Sequence, residues 1–254
     1  MIGENVAHET LVRWIREAQR AVAFTGAGIS TESGIPDFRS PGGIWTRFRV
    51  IQYPEFMASA EARHEYWEQK AAGQLDFESA RPNAGHTALA DWERQGRLVG
   101  VITQNIDGLH QAAGSRRVLE LHGTALAAQC QDCQARFDVG PLLEAFRRIG
   151  AVPPCPACGG DRLKHATVSF GQALPPEVTQ AAFQFARDSD LLLAIGSSLV
   201  VEPAASIPRT AKRYGGRLVI INRDPTPQDE AADLVIRASI GETLAAAARL
   251  VETN

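Results

Sequence analysis

The stretch Ala21-Val22-Ala23-Phe24-Thr25-Gly26-Ala27-Gly28-Ile29-Ser30 decides the fold. A short apolar run ends in a glycine turn that opens a helix, which is how a nucleotide-binding βα unit begins. Glycines at such a turn let backbone N–H groups approach a phosphate, and the helix N-terminus favours its charge. The turn departs from a full G-x-G-x-x-G because Thr31 takes the last position. A tight turn without a ligand is the alternative reading of this motif alone.

Outward from that turn, apolar runs recur at 98–103, 118–121, 167–170, 191–195, 218–221 and 234–236. Helical spacing fills 85–94, 176–186, 203–214 and 241–251, and Leu11, Trp14, Ile15 and Ala18 predict an opening amphipathic helix. Strands alternating with helices imply an α/β fold, a Rossmann-like parallel sheet with helices on both faces. Two segments interrupt the alternation. Residues 41–80 read as a loop followed by a helical module, and residues 126–164 carry every cysteine. The expected organisation is therefore a Rossmann-like domain from 1–40, 81–125 and 165–254, with 41–80 and 126–164 inserted.

Cys130 and Cys133 form one C-x-x-C, and Cys155 and Cys158 form another. Two such knuckles complete a tetrahedral site for one structural zinc ion, closed because all four ligands are thiolates. Two disulfides, or four unrelated thiols, are the alternatives.

The chain has 254 residues, 44% of them hydrophobic and 22% charged, the balance of an ordinary globular enzyme. A net charge of -3 gives no reason to expect a nucleic-acid or membrane surface. No segment approaches the roughly 20 apolar residues of a membrane span. Reduced cysteines and an N-terminal stretch without a basic start and apolar core suggest the cytoplasm.

The glycine turn extends through Ile35, Pro36, Asp37, Phe38, Arg39 and Ser40, and Gly43-Ile44-Trp45 follows. Further on stand Thr103-Gln104-Asn105-Ile106-Asp107-Gly108 and Glu120-Leu121-His122-Gly123, the latter just before the cysteines. After them come Phe170-Gly171, Gly196-Ser197-Ser198-Leu199, Val201-Glu202-Pro203 and Ile220-Ile221-Asn222. With these motifs in this order, over roughly residues 10–250, the chain resembles the sirtuins. It looks most like their class II-like bacterial and mitochondrial branch.

The resemblance implies an NAD-dependent protein-lysine deacylase, with NAD as co-substrate and an acyl-lysine protein or peptide as partner. It places Gly26, Ala27, Gly28 and Arg39 on the pyrophosphate, Gly196, Ser197 and Ser198 on phosphate or ribose, and Asn222 and Arg223 on the adenosine side. The main chain near Ile240 would line the adenine. Gln104, Asn105, Ile106 and Asp107 would form the nicotinamide pocket, closed by Ile35, Asp37, Phe38 and Trp45. His122 is the expected general base, since a neutral imidazole can take a proton from a ribose hydroxyl. Asn105 and Asp107 complete the catalytic set, although a loop aspartate is commonly a helix cap. His86 and His110 read as packing or hydrogen-bonding residues, and Tyr66 and Trp67 as core.

Val168, Phe170 and Gly171, opposite Val200, would pair a substrate peptide by β-augmentation. His165-Ala166 and Gln172 depart from the sirtuin pattern, which puts Pro-Asp and Glu there. An acidic acyl chain needs a paired cation in an apolar tunnel, and Gln69 stands where acidic-acyl sirtuins carry arginine. Acetyl and other neutral acyl groups are therefore expected. ADP-ribosyl transfer to protein, or NAD hydrolysis, is the enzymatic alternative. A non-catalytic NAD-sensing interaction module is the alternative of a different class.

Overall fold

The structure is a computed structural model describing residues 4–37, 43, 46 and 48–252, without the side chains of 4, 5, 74–78 and 252. Six strands form one parallel sheet: β1 (Ala21–Thr25), β2 (Leu98–Thr103), β3 (Val118–Glu120), β7 (Leu191–Ile195), β8 (Arg217–Ile221) and β9 (Leu234–Ile236). Their order is β3-β2-β1-β7-β8-β9. The chain winds one way from β1 through β2 to β3 and the other way from β7 to β9. The carboxyl ends of β1 and β7 therefore flank a topological switch point, where such sheets bind ligands.

Every residue of β1 and of β7 is buried. Strands covered on both faces read as unbroken apolar runs, which is why these were visible in the sequence. Alternate side chains enter two different cores. Ala21, Ala23, Leu193 and Val219 join Leu11, Ile15, Leu89, Trp92 and Leu244 on one face. These come from helices α1 (Glu4–Glu17), α4 (Ala84–Arg94) and α9 (Ile240–Glu252). Val22, Phe24, Leu192 and Ile220 meet Ala182, Ala186, Ile207 and Ala211 on the other, from α7 (Pro176–Asp188) and α8 (Ser206–Arg213). Each fully buried Leu, Ile or Phe contributes about 1.5–3 kcal/mol.

A second, antiparallel sheet has the order β5-β4-β6, from β4 (Gly123–Cys130), β5 (Arg136–Asp138) and β6 (Leu163–Thr167). Helix α6 (Val139–Ile149) follows β5, capped by the Asp138 carboxylate on the Gly140 N–H at 2.9 Å. The run 167–170 is not a strand of the main sheet. Its first residue ends β6, paired to Gly123, and the rest continues without regular structure. A short apolar run gives no information about which sheet it joins, so this element was misplaced by pattern alone.

The region 41–80 contains helices α2 (Tyr53–Ala58) and α3 (Ala60–Ser79), the second capped by Ser59 Oγ on the Ala62 N–H. Its aromatic residues do not form a core of their own. Phe56, Tyr66 and Trp67 pack with Ala128, Leu142, Phe146, Leu163 and the buried cysteines. The Trp67 indole N–H donates to the Leu163 carbonyl at 2.8 Å, and Arg63 pairs with Asp161 at 2.6 Å. The two inserted segments are thus joined through one hydrophobic core. Among the described residues no helix is long and apolar enough to cross a membrane.

Candidate active site

A cavity of about 1380 Å³ opens at the switch point between β1 and β7. The loops after these strands interlock through glycine. A Cβ on Gly26 would lie 2.7 Å from the Gly196 carbonyl oxygen, and one on Gly28 would lie 2.7 Å from the Gly196 Cα. Gly196 itself has φ +62°, and its Cβ would meet the Ile29 nitrogen at 2.4 Å. The Gly26 N–H donates to the Ile195 carbonyl at 3.0 Å and the Gly28 N–H to the Gly196 carbonyl at 2.8 Å. Both amides are engaged within the protein, so these glycines serve close packing of the two loops. The expectation that their N–H groups lie open to a phosphate does not hold in this arrangement.

His122 stands between the two sheets. Gly123, directly after it, has φ +69°, and a Cβ there would overlap the Ala166 carbonyl oxygen at 2.0 Å. The pairing of β4 with β6 therefore demands glycine next to the histidine. The His122 carbonyl accepts the Val168 N–H at 2.8 Å. Its ring Nδ1 lies 2.9 Å from the Gln104 carbonyl oxygen, which can only accept, so in the neutral ring Nδ1 carries the proton. Nε2 is then the basic lone pair, and it has no hydrogen-bond partner among the described residues. Burial holds the imidazole below the ordinary histidine range, and the Gln104 carbonyl opposes that in part. Near pH 7 the ring is neutral and able to take a proton.

Gln104 connects three elements. Its main chain receives His122, its N–H donates to the Thr25 carbonyl, and its Nε2 donates to Ser197 Oγ at 2.8 Å. Asn105 is buried, with Nδ2 donating to the Gly26 carbonyl at 3.2 Å and to Ser30 Oγ at 3.0 Å. Ser30 Oγ in turn donates to Asp107 Oδ2 at 2.7 Å. Asp107 Oδ1 accepts the Leu109 N–H at 2.9 Å, at the start of α5 (Leu109–Ala112).

Gly26, Ala27, Gly28, Gln104, Asn105 and Ile106 all line the cavity. So do Asp37, His122, Gly196, Ser197, Ser198, Asn222, Arg223 and Ile240, and the residues expected to pair a peptide, Val168, Phe170 and Gly171. Three residues of the expected set do not. Asp107 is absent from the wall and sits behind Ser30 and Asn105, so it is a positioning residue for Asn105. Ile35 packs against Ala80 and Leu109. Val200 lies outside the lining and is half exposed. Phe38, Arg39 and Trp45 fall outside the described residues.

At Val168 and Phe170 two backbone groups are already engaged. The Val168 N–H is on His122, and the Phe170 carbonyl accepts the Tyr53 N–H at 2.8 Å. Gln172 Oε1 accepts the Ser169 N–H at 3.2 Å, so the residue that departs from the sirtuin pattern fixes this turn. His86 and His110 stack edge to face at 4.9 Å, and Nε2 of His110 bonds Thr25 Oγ1 at 2.9 Å. Burial, with His86 as a second cause, holds His110 down to about 3. Sequence reasoning passed over Ser30, although it stands in the glycine turn it singled out, and over Lys70, which carried no motif; His165 it noted only as a departure from the sirtuin pattern.

The four cysteine sulfurs lie within 4.8 Å of one another, with Cys130–Cys158 and Cys133–Cys155 separations of 3.7 Å. Thiolates about 2.3 Å from one tetrahedral ion are roughly 3.8 Å apart, so the cluster fits zinc. A disulfide would bring two sulfurs to about 2.05 Å, and all four cysteines are free. Each knuckle closes through a residue with positive φ, Gln134 at 62° and Gly159 at 72°.

The Sir2 family profile matches residues 26–203. The chain belongs to the Sir2 family. It is 54% identical over 238 residues to NAD-dependent protein deacetylase 1 of Bradyrhizobium diazoefficiens, covering 93% of each chain. Among solved structures, one from work on the mechanism and regulation of Sir2 enzymes is similar with a TM-score of 0.87 and 39% identity, over 97% of this chain and 98% of that one. A Sir2 variant bound to a deacetylated p53 peptide and 3′-O-acetyl ADP-ribose gives a TM-score of 0.87 at 36% identity, over 93% and 95%. The glycine turn, Gln104-Asn105, His122 and the Gly196-Ser197 loop all fall inside the span matched by the Sir2 family.

Proposed function

We propose that the protein is an NAD-dependent protein-lysine deacylase that releases nicotinamide and O-acyl-ADP-ribose from NAD and an acyl-lysine substrate. The observation that carries this reading is the unpartnered Nε2 of a neutral His122 facing the cavity that the Gly26–Gly28 and Gly196–Ser198 loops also line. The relatives named as NAD-dependent protein deacetylases support it.

NAD, when bound, supplies the electrophilic ribose carbon and the ribose hydroxyls. The Gly196–Ser198 loop, Asn222, Arg223 and Ile240 would hold its phosphate and adenosine parts, with Gln104, Asn105 and Ile106 around the nicotinamide. Asn105 is held by Gly26 and Ser30, which leaves its Oδ1 without a partner among the described residues. His122 Nε2 would take a proton from a ribose hydroxyl of bound NAD, and the Gln104 carbonyl would stabilise the resulting imidazolium through Nδ1. Phe38, Arg39 and Trp45 complete the proposed cofactor set. Val168, Phe170 and Gly171, with Val200 on the rim, would guide the peptide. The zinc cluster holds the small sheet and has no chemical step. The division into a Rossmann-like part (1–40, 81–125, 165–254) and two insertions (41–80, 126–164) is supported by the two separate sheets. Four free thiols suit a reducing compartment, the cytoplasm.

The test is an incubation with NAD and an acetyl-lysine peptide. Nicotinamide and acetyl loss should appear one to one. Cleavage of NAD with no acyl loss, or ADP-ribose on protein, would replace this reading by hydrolysis or ADP-ribosyl transfer.

A further inference from the structure

His110 has no part in the proposed chemistry, yet it braces the loop proposed to surround nicotinamide from behind. That loop, 104–108, leaves β2 at Thr103 and returns as α5, whose second residue is His110. Thr103 and Thr25 are register partners at the carboxyl ends of β2 and β1. Thr25 Oγ1 donates to Thr103 Oγ1 at 2.8 Å, and His110 Nε2 lies 2.9 Å from the same Thr25 hydroxyl. Thr103 Oγ1 also accepts the Asn105 N–H at 3.0 Å. An unbroken run of hydrogen bonds therefore links the His110 ring to the main chain of Asn105. All four residues are buried.

The direction of each bond follows from the protons available. Thr25 gives its one hydroxyl proton to Thr103, so it accepts from the ring, and His110 donates from Nε2. Burial, with His86 as a second cause, keeps the ring neutral, so that proton is its only one. Nδ1 has no hydrogen-bond partner among the described residues. His122 holds the opposite tautomer, with its proton on Nδ1. His110 is thus a fixed donor rather than an acid or a base. It is absent from the cavity wall, so any influence on the reaction passes through the residues it braces.

Asn105 is held at three points: its N–H by Thr103, and its Nδ2 by the Gly26 carbonyl and by Ser30 Oγ. The first of these belongs to the run that starts at His110, and that run closes the base of the loop. Without the ring proton, Thr25 Oγ1 is a buried acceptor with no donor, and its hydroxyl can turn away from Thr103. We propose that His110 is a positioning residue for the nicotinamide end of the site. It locks the Thr25 hydroxyl, and through Thr103 it fixes the main chain from which Asn105 presents Oδ1. The proposal rests on the deacylase reading for the presence of nicotinamide at Asn105. Peptide binding is assigned to Val168, Phe170 and Gly171, residues to which none of these bonds runs, so the two ends of the site should respond differently.

The experiment compares wild type, His110→Leu, His110→Gln, Thr25→Val and the His110→Leu/Thr25→Val double variant. Nicotinamide inhibition of acetyl-peptide turnover reads the loop, the peptide KM reads the other end of the site, and thermal melts read stability. Loss of one buried hydrogen bond should raise the nicotinamide inhibition constant of His110→Leu by about three- to tenfold. The peptide KM should stay within about twofold. His110→Gln keeps an N–H donor near the place of Nε2 and should restore most of the inhibition. Thr25→Val should reproduce the loss, and the double variant should be no worse than the worse single, because both changes break one run of bonds. A lower Tm and kcat with an unchanged inhibition constant would overturn the proposal and leave His110 a packing residue. Effects that multiply in the double variant would overturn it too. If the wild type turns over no acetyl peptide, the deacylase reading has failed separately, and amide hydrogen exchange decides. Faster exchange at Asn105 in His110→Leu, restored in His110→Gln and absent from β8, supports the positioning role, and unchanged exchange at Asn105 overturns it.

Discussion

Replacing Gly28 by alanine should be costly out of proportion to one methyl group. The new Cβ would stand 2.7 Å from Gly196 Cα and 2.9 Å from the Gly196 carbonyl oxygen. Both obstacles are backbone, so relief requires the loops after β1 and β7 to separate by about 0.7 Å or more, since overpacked sites relax by backbone shifts. That movement stretches the 2.8 Å bond from Gly28 N–H to Gly196 and the 3.0 Å bond from Gly26 N–H to Ile195. Overpacking costs about 1–3 kcal/mol, and weakening two buried hydrogen bonds adds about 1 kcal/mol each. The expected loss is roughly 3–5 kcal/mol, which for a chain of this size lowers Tm by about 6–20 °C. Urea and thermal melts followed by circular dichroism measure it, with NAD affinity read alongside. Gly73→Ala is the internal control, since its Cβ meets nothing within 4 Å and it lies inside α3. There the same substitution should stabilise by about 0.5–1 kcal/mol. A Gly28→Ala protein within 0.5 kcal/mol of wild type, with NAD affinity intact, would refute the interlocked-loop account.

Zinc removal should reach beyond the cysteines. One zinc per chain is expected by elemental analysis, and a strong chelator should loosen the core that Cys130 and Cys155 share with Phe56, Tyr66 and Trp67, abolishing a single cooperative melt; an unchanged melt after complete chelation would contradict this. The pH dependence follows from His122. Its value is lowered by burial, so the neutral base persists as pH falls through the ordinary histidine range and is lost only below it. The acid limb of kcat/KM for an acetyl peptide should therefore lie below pH 6.5, and a half-maximal point above it would argue against a buried base.

The main sheet was legible because β1, β7 and β8 are buried on both faces and so carry uninterrupted apolar runs. The zinc cluster was legible because C-x-x-C spacing is itself the geometry of a knuckle. Other features depend on contacts between distant segments. The helix α3 reads as polar with scattered aromatic residues, and nothing in it announces that Trp67 reaches Leu163 or that Lys70 enters the cavity. Asp107 carried both readings, cap and site residue. In the structure its carboxylate accepts the Leu109 N–H at the start of α5, whose N-cap residue is Gly108, and the hydroxyl of Ser30, a partner 77 residues away that no local pattern contains. The glycine turn was recognised, but its amides face the β7 loop, a relation set by strand order.

The measurement that tests the central claim most directly separates the two halves of the reaction in wild type and in His122→Ala. The proposed role of His122 Nε2 is at the ribose hydroxyl, a step that the resemblance to sirtuins places after nicotinamide has left. With NAD, an acetyl-lysine peptide and labelled nicotinamide, the variant should still exchange label into NAD while O-acetyl-ADP-ribose, followed by mass spectrometry, falls by at least about a hundredfold, as for loss of a general base. O-acetyl-ADP-ribose formed by His122→Ala at the wild-type rate would contradict the account.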